Sequence, residues 1–111
     1  MTEEEYTTLI TEWGKVERKG KKNPYTSLNG HMFTFLDTKE GYLAIRFSEK
    51  EKKAFNEKHD GSDVIQYNSV MRGYIRVPEK MANDKITIIE LLDKSYNYIA
   101  SLEPKPTKKR K

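Results

Sequence analysis

Two β-rich runs joined by a five-residue turn constrain the fold of this chain more than any other feature. The runs cover residues 31–36 and 42–47, and the turn between them, residues 37–41, ends in a glycine. Runs of this kind around a short loop that contains glycine are typical of a β-hairpin. Because so short a turn joins antiparallel neighbours, the hairpin disfavours a parallel sheet.

The second strand of this hairpin has alternating side chains. Successive residues of a strand point to opposite faces, so the alternation predicts a sheet with one face covered by helices and one face open to solvent. Leu43, Ile45 and Phe47 would share the covered face, and Tyr42, Ala44 and Arg46 the wet face.

Three segments have the spacing of a helix that begins with a capping box, in which two side chains three residues apart satisfy backbone N–H groups. We expect helices over residues 3–13, from Ser48 to about His59, and from Thr87 to Leu102. The boxes pair Thr2 with Glu5, Ser48 with Glu51 and Thr87 with Glu90. The first and last helices are amphipathic, with apolar residues at helical spacing. The stripe of the first helix is Tyr6, Leu9, Ile10 and Trp13, and the last helix has Ile88, Leu91, Leu92, Ser95, Tyr96, Ile99 and Leu102 at helical spacing.

Further strands are expected at residues 15–19, 64–67 and 72–77, with the remainder of residues 15–28 as loop. The order α-β-β-β-α-β-β-α predicts a two-layer α+β fold, with an antiparallel sheet of about five strands and helices on one face. A chain of 111 residues fits one domain, placed at residues 1–102. Residues 103–111 read as a disordered basic tail.

The net charge of +4 is concentrated in two places. Residues 103–111 hold five basic groups and one acid, and so do residues 15–22. The chain has no cysteine, which excludes disulfides, thiolate zinc sites and a cysteine nucleophile. The acidic start and the lack of a long apolar run give no sign of a signal peptide or membrane span, so the expected location is cytoplasmic.

The residues that usually perform catalysis form no recognisable motif. The two histidines, His31 and His59, lie in a strand and near a charged helix end, where structural or solvated roles are expected. Asp60–Asp63 reads as a turn because the further ligands of a calcium loop are missing. We therefore predict no metal, no cofactor and no enzymatic activity. An unrecognised site around His31 or buried carboxylates remains the enzymatic alternative.

A basic loop and the basic tail favour a second kind of function. A basic loop beside an aromatic residue can hold phosphate and stack a base. A solubilising loop and a solvated tail are the plainer interpretations. The candidate nucleic-acid-binding residues are Arg18, Lys19, Lys21, Lys22 and Tyr25 in the loop, and Lys108, Lys109, Arg110 and Lys111 in the tail.

Four tyrosines, at positions 67, 74, 96 and 98, are more than a core this small is expected to bury fully. Because interfaces favour amphipathic aromatic side chains, a homodimer contact or a groove for a protein partner is an alternative to plain packing.

The segments 30–37 and 41–47 resemble the hairpin of the TfoX N-terminal domain family, in which a strand with Met-Phe, a glycine turn and a strand of type x-L-x-L-[KR] follow one another. Residues 63–78 and the closing helix are similar to the later half of that family, and the likeness covers residues 1–102. A more distant likeness is to the YjbR type of domain. The resemblance implies a small α+β domain associated with regulation of natural competence, and no catalytic residues. The leading hypothesis is therefore a non-enzymatic regulatory or protein-interaction module, with nucleic-acid binding as the alternative.

Overall fold

The computed structural model describes residues 1–59, 61–66 and 68–104. It contains three α-helices, five β-strands and one turn of 3₁₀-helix at Glu79–Met81. The helices are α1 (Glu3–Trp13), α2 (Glu49–His59) and α3 (Lys85–Ser101). The strands are β1 (Tyr25–Leu28), β2 (His31–Asp37), β3 (Tyr42–Arg46), β4 (Asp63–Gln66) and β5 (Ser69–Arg76). The order of elements is the predicted one.

All five strands belong to one antiparallel sheet in the order β1-β2-β3-β5-β4. The predicted hairpin forms β2 and β3, in which Leu36 lies opposite Leu43 and Asp37 opposite Tyr42. The sheet is open, with β1 and β4 as its two edges within the described chain. The predicted α+β class with an antiparallel sheet is confirmed.

The bounds of α1 are those expected from its capping residues. The Thr2 hydroxyl accepts the Glu5 N–H, and the Glu5 carboxylate accepts the Thr2 N–H, so both bonds of the box are present. Gly14 ends the helix with φ 78°, a left-handed conformation that glycine adopts without a steric cost. At the start of α2, the Ser48 hydroxyl accepts the Glu51 N–H, as the second box predicted.

The predicted start of α3 is wrong by three residues, because the N-cap is Asp84 and not Thr87. The helix begins at Lys85, and the side chain of Asp84 accepts the Thr87 N–H. The Thr87 hydroxyl also donates to Asp84. Aspartate is among the best N-cap residues, and it takes the cap here, which places Thr87 inside the first turn.

The position of the first strand was also predicted wrongly. Of residues 15–19, only Lys19 forms a β-bridge, with Tyr25, whereas β1 lies at Tyr25–Leu28 in a segment predicted to be loop. The missed signal is the dipeptide Asn29-Gly30, whose φ angles of 56° and 78° are both positive. Asn-Gly is the preferred pair for the two-residue turn of a hairpin, and it joins β1 directly to β2.

The main core lies between the sheet and the helices α1 and α3. It includes the stripe residues Tyr6, Leu9 and Ile10 from α1, with Ile88 and Leu92 from α3. From the strands it takes Leu36, Leu43, Ile45 and Ile75, together with Phe47 and Val77 beyond them. Leu43, Ile45 and Phe47 thus share the covered face, as the alternation in the sequence predicted.

The opposite side of the sheet, called here the second face, is not wet as predicted. Its buried residues form a separate apolar cluster that consists, in the described chain, of strand residues alone: Phe35, Tyr42, Ala44, Val64 and Tyr74. Tyr25, Met32 and Met71 pack against the cluster. Register shifts in the β1–β2 and β4–β5 pairs bend the outer strands, and the sheet thereby buries part of its own second face.

None of the helices in the described ranges combines the length and the apolar composition needed to cross a membrane. α3 ends at Ser101, close to the predicted domain boundary at residue 102. Residues 105–111 lie outside the described residues, so the disordered tail stays a prediction.

Candidate functional site

A cleft of about 300 Å³ opens on the second face. β1 and β2 contribute Tyr25, Met32, Phe35 and Asp37 to its lining, and β4 and β5 contribute Gln66 and Met71. Asn23 lies at the rim on the loop before β1, and Thr38 and Lys39 at the rim on the β2–β3 turn. The cleft has an apolar floor and a few polar groups at its margin, which is the usual make-up of a small-ligand site.

Two hydrogen bonds across β3 hold the walls of this cleft together. Gln66 Nε2 of β4 donates to Asp37 Oδ2 of β2 at 2.9 Å. The Tyr74 hydroxyl of β5 donates to the Met32 carbonyl of β2 at 2.7 Å. Since β3 separates β2 from β5 in the sheet, these bonds require the sheet to curve around the cleft.

The aromatic surfaces of the cleft are fixed by close packing. Phe35 is 8% exposed, and its ring lies 5.4 Å from that of Tyr74 at a tilt of 53°. Tyr25 is half-buried. Gly20 has φ 84°, and a Cβ built there would lie 3.1 Å from the Tyr25 ring and 2.2 Å from the Asn23 carbonyl oxygen. Glycine at this position therefore lets the basic loop fold tightly against Tyr25.

Asp37 supplies the carboxylate at one end of the cleft. Its Oδ1 accepts the backbone N–H groups of Lys39 and Glu40 at 2.9 and 2.8 Å, while Oδ2 accepts Gln66. Burial acts to raise the pKa of this carboxyl, but the hydrogen bonds from Glu40, Gln66 and Lys39 together outweigh it and lower the pKa. The carboxylate is thus charged at neutral pH, with that charge shared among three N–H donors.

One lysine lines the cleft, and three more lie within residues 19–22, in the chain segment that precedes β1. Lys19 Nζ donates to the Ser27 hydroxyl at 3.1 Å, and Ser27 lies opposite the cleft residue Met32. Lys39 is part of the lining. Lys21 and Lys22 are exposed in the loop that joins the Lys19–Tyr25 bridge. Of these lysines, Lys39 lines the aromatic cleft and Lys19 bonds a residue of the neighbouring strand, while Lys21 and Lys22 precede the rim residue Asn23 in the chain.

The remaining candidates from the sequence are placed differently. Arg18 Nη2 forms an ion pair with Glu3 at 2.7 Å and donates to the Lys21 carbonyl oxygen, so its side chain braces the loop against α1. The tail residues Lys108, Lys109, Arg110 and Lys111 lie outside the described residues, and their role stays a prediction.

A larger hollow, about 640 Å³, lies between α2 and the strands β4 and β5. The lining has equal numbers of basic and acidic residues. The basic residues are Lys52, Lys53 and Arg72, and the acidic residues are Glu49, Glu57 and Asp63. Lys52 is 6% exposed and forms an ion pair with Asp63 at 3.2 Å. Charged side chains of both signs dominate this hollow, so we regard the smaller apolar cleft as the better candidate for a ligand.

An exposed apolar pair lies at the β4 edge of the sheet. Ile65 of β4 is 57% exposed and lies opposite Val70 of β5, which is 50% exposed. At the other edge, the chain before β1 covers the strand: Lys19 and Tyr25 exchange two backbone hydrogen bonds of 2.7 and 3.0 Å. Among the described residues, β4 is therefore the less protected of the two edges.

The histidines lie far apart in the fold and contact different elements. His31 Nε2 donates to the Glu103 carbonyl oxygen at 3.0 Å, which makes it the protonated nitrogen. The ring of His59 packs against Phe55, with centroids 4.5 Å apart. No group of three or more His, Asp or Glu side chains suited to a metal ion occurs in the ranges the structure describes.

The tyrosines singled out from the sequence have separate surroundings. Tyr74 is buried in the second-face cluster. Tyr96 is half-buried and packs with Trp13 and Phe33 on the helical side, with ring centroids 5.8 and 6.5 Å away. Tyr98 is half-buried, and Tyr67 lies outside the described residues.

Sequence reasoning found Tyr25 and Lys19 but missed the cleft that they border. Met32, Phe35, Gln66 and Met71 come from strands far apart in the chain. No local spacing links them, because they meet only through the curvature of the sheet.

Comparison of the chain with protein-family models, with curated proteins and with solved structures finds no match. The likeness to the TfoX N-terminal domain family therefore stays a resemblance carried by the hairpin.

Proposed function

We propose that this chain is a non-enzymatic protein-interaction module of the TfoX N-terminal type, and that it self-associates through the open edge of β4. The observation that carries the proposal is the exposed pair Ile65 and Val70 at that edge. The regulatory role implied by the family resemblance, and a cytoplasmic location, belong to the same proposal. The cysteine-free composition is compatible with a reducing compartment.

An edge strand presents unpaired backbone N–H and C=O groups, and proteins usually protect such edges with charge, proline or a covering segment. The four-residue strand β4 has one charged residue, Asp63, whose side chain is paired with Lys52. The middle of the strand, Val64-Ile65, carries no charge and exposes isoleucine. These features favour pairing of this edge with another strand.

A second copy of the chain fits the edge better than an unrelated strand because β4 can pair with itself without charge conflict. Residues directly opposite in an antiparallel pair share a face. A two-fold axis through Ile65 therefore places the two isoleucines in contact on one face. In this register the two Asp63 carboxylates lie at opposite ends of the paired strands, so like charges do not meet.

The proposal is tested by the oligomeric state of the full chain. Sedimentation and light scattering would be measured from about 1 to about 500 μM, since a short edge gives a weak interface. We expect concentration-dependent dimers, and Ile65→Lys should abolish them because two ammonium groups would meet at the axis. The matched control is Ile86→Lys, a similar change at a residue of α3 that is 75% exposed and not on the edge.

A dimer that persists in Ile65→Lys, or that is lost equally in Ile86→Lys, would refute the β4 contact. A wild-type chain that stays monomeric over the whole range would refute self-association, and with it this proposal. Circular dichroism of each variant would establish that the fold is intact.

A further inference from the structure

The cleft on the second face has a size that limits what it can hold. Its volume of about 300 Å³ is at the lower end of the range of about 300–1,000 Å³ found for small-ligand sites. Such a volume suits one planar ring system with a polar substituent. It does not suit an extended peptide, nor the width of a nucleic-acid duplex.

The floor and walls of the cleft provide surfaces for such a ring. Phe35 forms part of the floor, and Tyr25 lies beside it in register, opposite it across the β1–β2 pair. Met32 and Met71, both half-buried, are polarizable side chains that pack readily against aromatic groups. Every nucleobase has a π-face that can stack on an aromatic side chain, so this contact does not depend on which base is bound.

The charges at the margin favour an anionic ligand. Lys39 lines the cleft, and the ammonium of Lys19 lies at Ser27, beside the strand pair that carries Met32. The two nearby acids are already engaged, since Asp37 accepts three N–H groups and Glu40 pairs with Arg76 at 3.3 Å. Asp37 keeps its negative charge, but Lys19 and Lys39 together outnumber it by one positive charge, which favours an anionic ligand.

We propose that the cleft is a nucleotide-binding site, in which a single base enters between Tyr25, Met32 and Met71 and its phosphate is attracted by the positive charges of Lys39 and Lys19. The shared chemistry is one nucleotide unit, either free or as part of a single strand. A single strand is accommodated because its bases are unstacked and accessible, whereas a duplex keeps them paired. This site is independent of the β4 edge and does not rest on self-association.

Binding would be measured with the full chain by fluorescence anisotropy of short single-stranded DNA and RNA, with a duplex of the same sequence for comparison. Calorimetry with adenosine, guanosine, cytidine and uridine monophosphates would test the free nucleotide. Tight oligonucleotide binding with weak mononucleotide binding would assign a polymer ligand. Comparable affinity for mononucleotides would assign a free nucleotide.

Two variants test the contacts in the cleft. Tyr25→Ala should weaken binding at least tenfold, whereas Tyr98→Ala, the same change on α3, should leave it unchanged. The double variant Lys19→Gln/Lys39→Gln should weaken binding and reduce the slope of log affinity against log salt by about 1–1.5. Lys50→Gln/Lys80→Gln makes the same change in net charge outside the cleft and should have a much smaller effect.

Three results would overturn the proposal. They are no binding of any single strand or mononucleotide at low salt, equal affinity for duplex and single strand, and equal losses in Tyr25→Ala and Tyr98→Ala. Unfolding curves of each variant would show that a lost affinity does not reflect a lost fold.

Discussion

The hydroxyl of Tyr6 lies 2.7 Å from that of Thr34, which in turn lies 2.7 Å from that of Thr26. All three residues are fully buried. The three hydroxyls thus connect α1 to β2 and β1 through the main core, and each can satisfy its neighbour as donor or acceptor. Hydrogen-bonded hydroxyls inside an apolar core stabilise the fold only when each of them has a hydrogen-bond partner.

Thr34→Val should destabilise the protein by about 1–3 kcal/mol, because it removes the central hydroxyl and leaves its two neighbours short of a partner. The free energy of unfolding in urea measures this loss. Thr11→Val, at an exposed position of α1, should change it by less than about 0.5 kcal/mol. Equal effects of the two substitutions would show that the buried hydroxyls contribute nothing specific.

At the scale of elements, Gly73 determines how β5 approaches the start of α2. Its φ of 80° is left-handed, and its carbonyl oxygen accepts the Phe47 N–H at 2.7 Å. A Cβ at this position would lie 2.6 Å from the Phe47 carbonyl oxygen, which is backbone and cannot turn away. The site therefore requires glycine for both its conformation and its space.

Gly73→Ala should cost at least twice as much stability as Gly14→Ala. Both glycines are left-handed, but a Cβ at Gly14 meets nothing closer than 3.8 Å. The strain alone costs about 1 kcal/mol, and the steric conflict adds to it only at Gly73. Urea unfolding of the two variants measures the difference, and similar losses would refute the close contact.

At the scale of the whole molecule, the pattern of the sequence predicted the class, the order of elements and the helix-facing core. It could do so because capping residues, the Gly41 turn and the Leu43–Ile45–Phe47 alternation are local signals. The location of β1 could also have been predicted, since Asn29-Gly30 is a strong turn signal. The burial of Tyr42 and Ala44 could not, because it depends on curvature that joins β2 to β4 and β5.

Stability should fall with rising pH because both sides of the sheet bury tyrosines. Burial raises the pKa of Tyr6 to about 12, although its hydrogen bonds with Thr34 and Thr26 act to lower the pKa. Burial also raises the pKa of Tyr74. The folded protein then holds protons that the unfolded chain releases near pH 10. The stabilisation that comes from Tyr6 is complete below pH 10 and is lost between about pH 10 and 12. Over this range the free energy of unfolding should fall by about 3 kcal/mol on account of Tyr6 alone.

Urea unfolding at pH 9 and 11 checks this dependence, and Tyr74→Phe should show a shallower decline because it removes one of the two groups. Absorbance at 295 nm would follow ionisation directly. A protein equally stable at both pH values would show that neither hydroxyl is held in a dry environment.

The single tryptophan lies on the helical side of the sheet. Trp13 Nε1 donates to Asp93 of α3 at 2.8 Å, and its ring contacts Phe33 and Tyr96. Its emission is thus an intrinsic reporter of whether α1 stays docked on α3, whereas a titrated oligonucleotide would perturb the distant cleft. Where anisotropy shows that the oligonucleotide binds, unchanged indole fluorescence in the same titration would place the ligand away from the Trp13 side of the sheet.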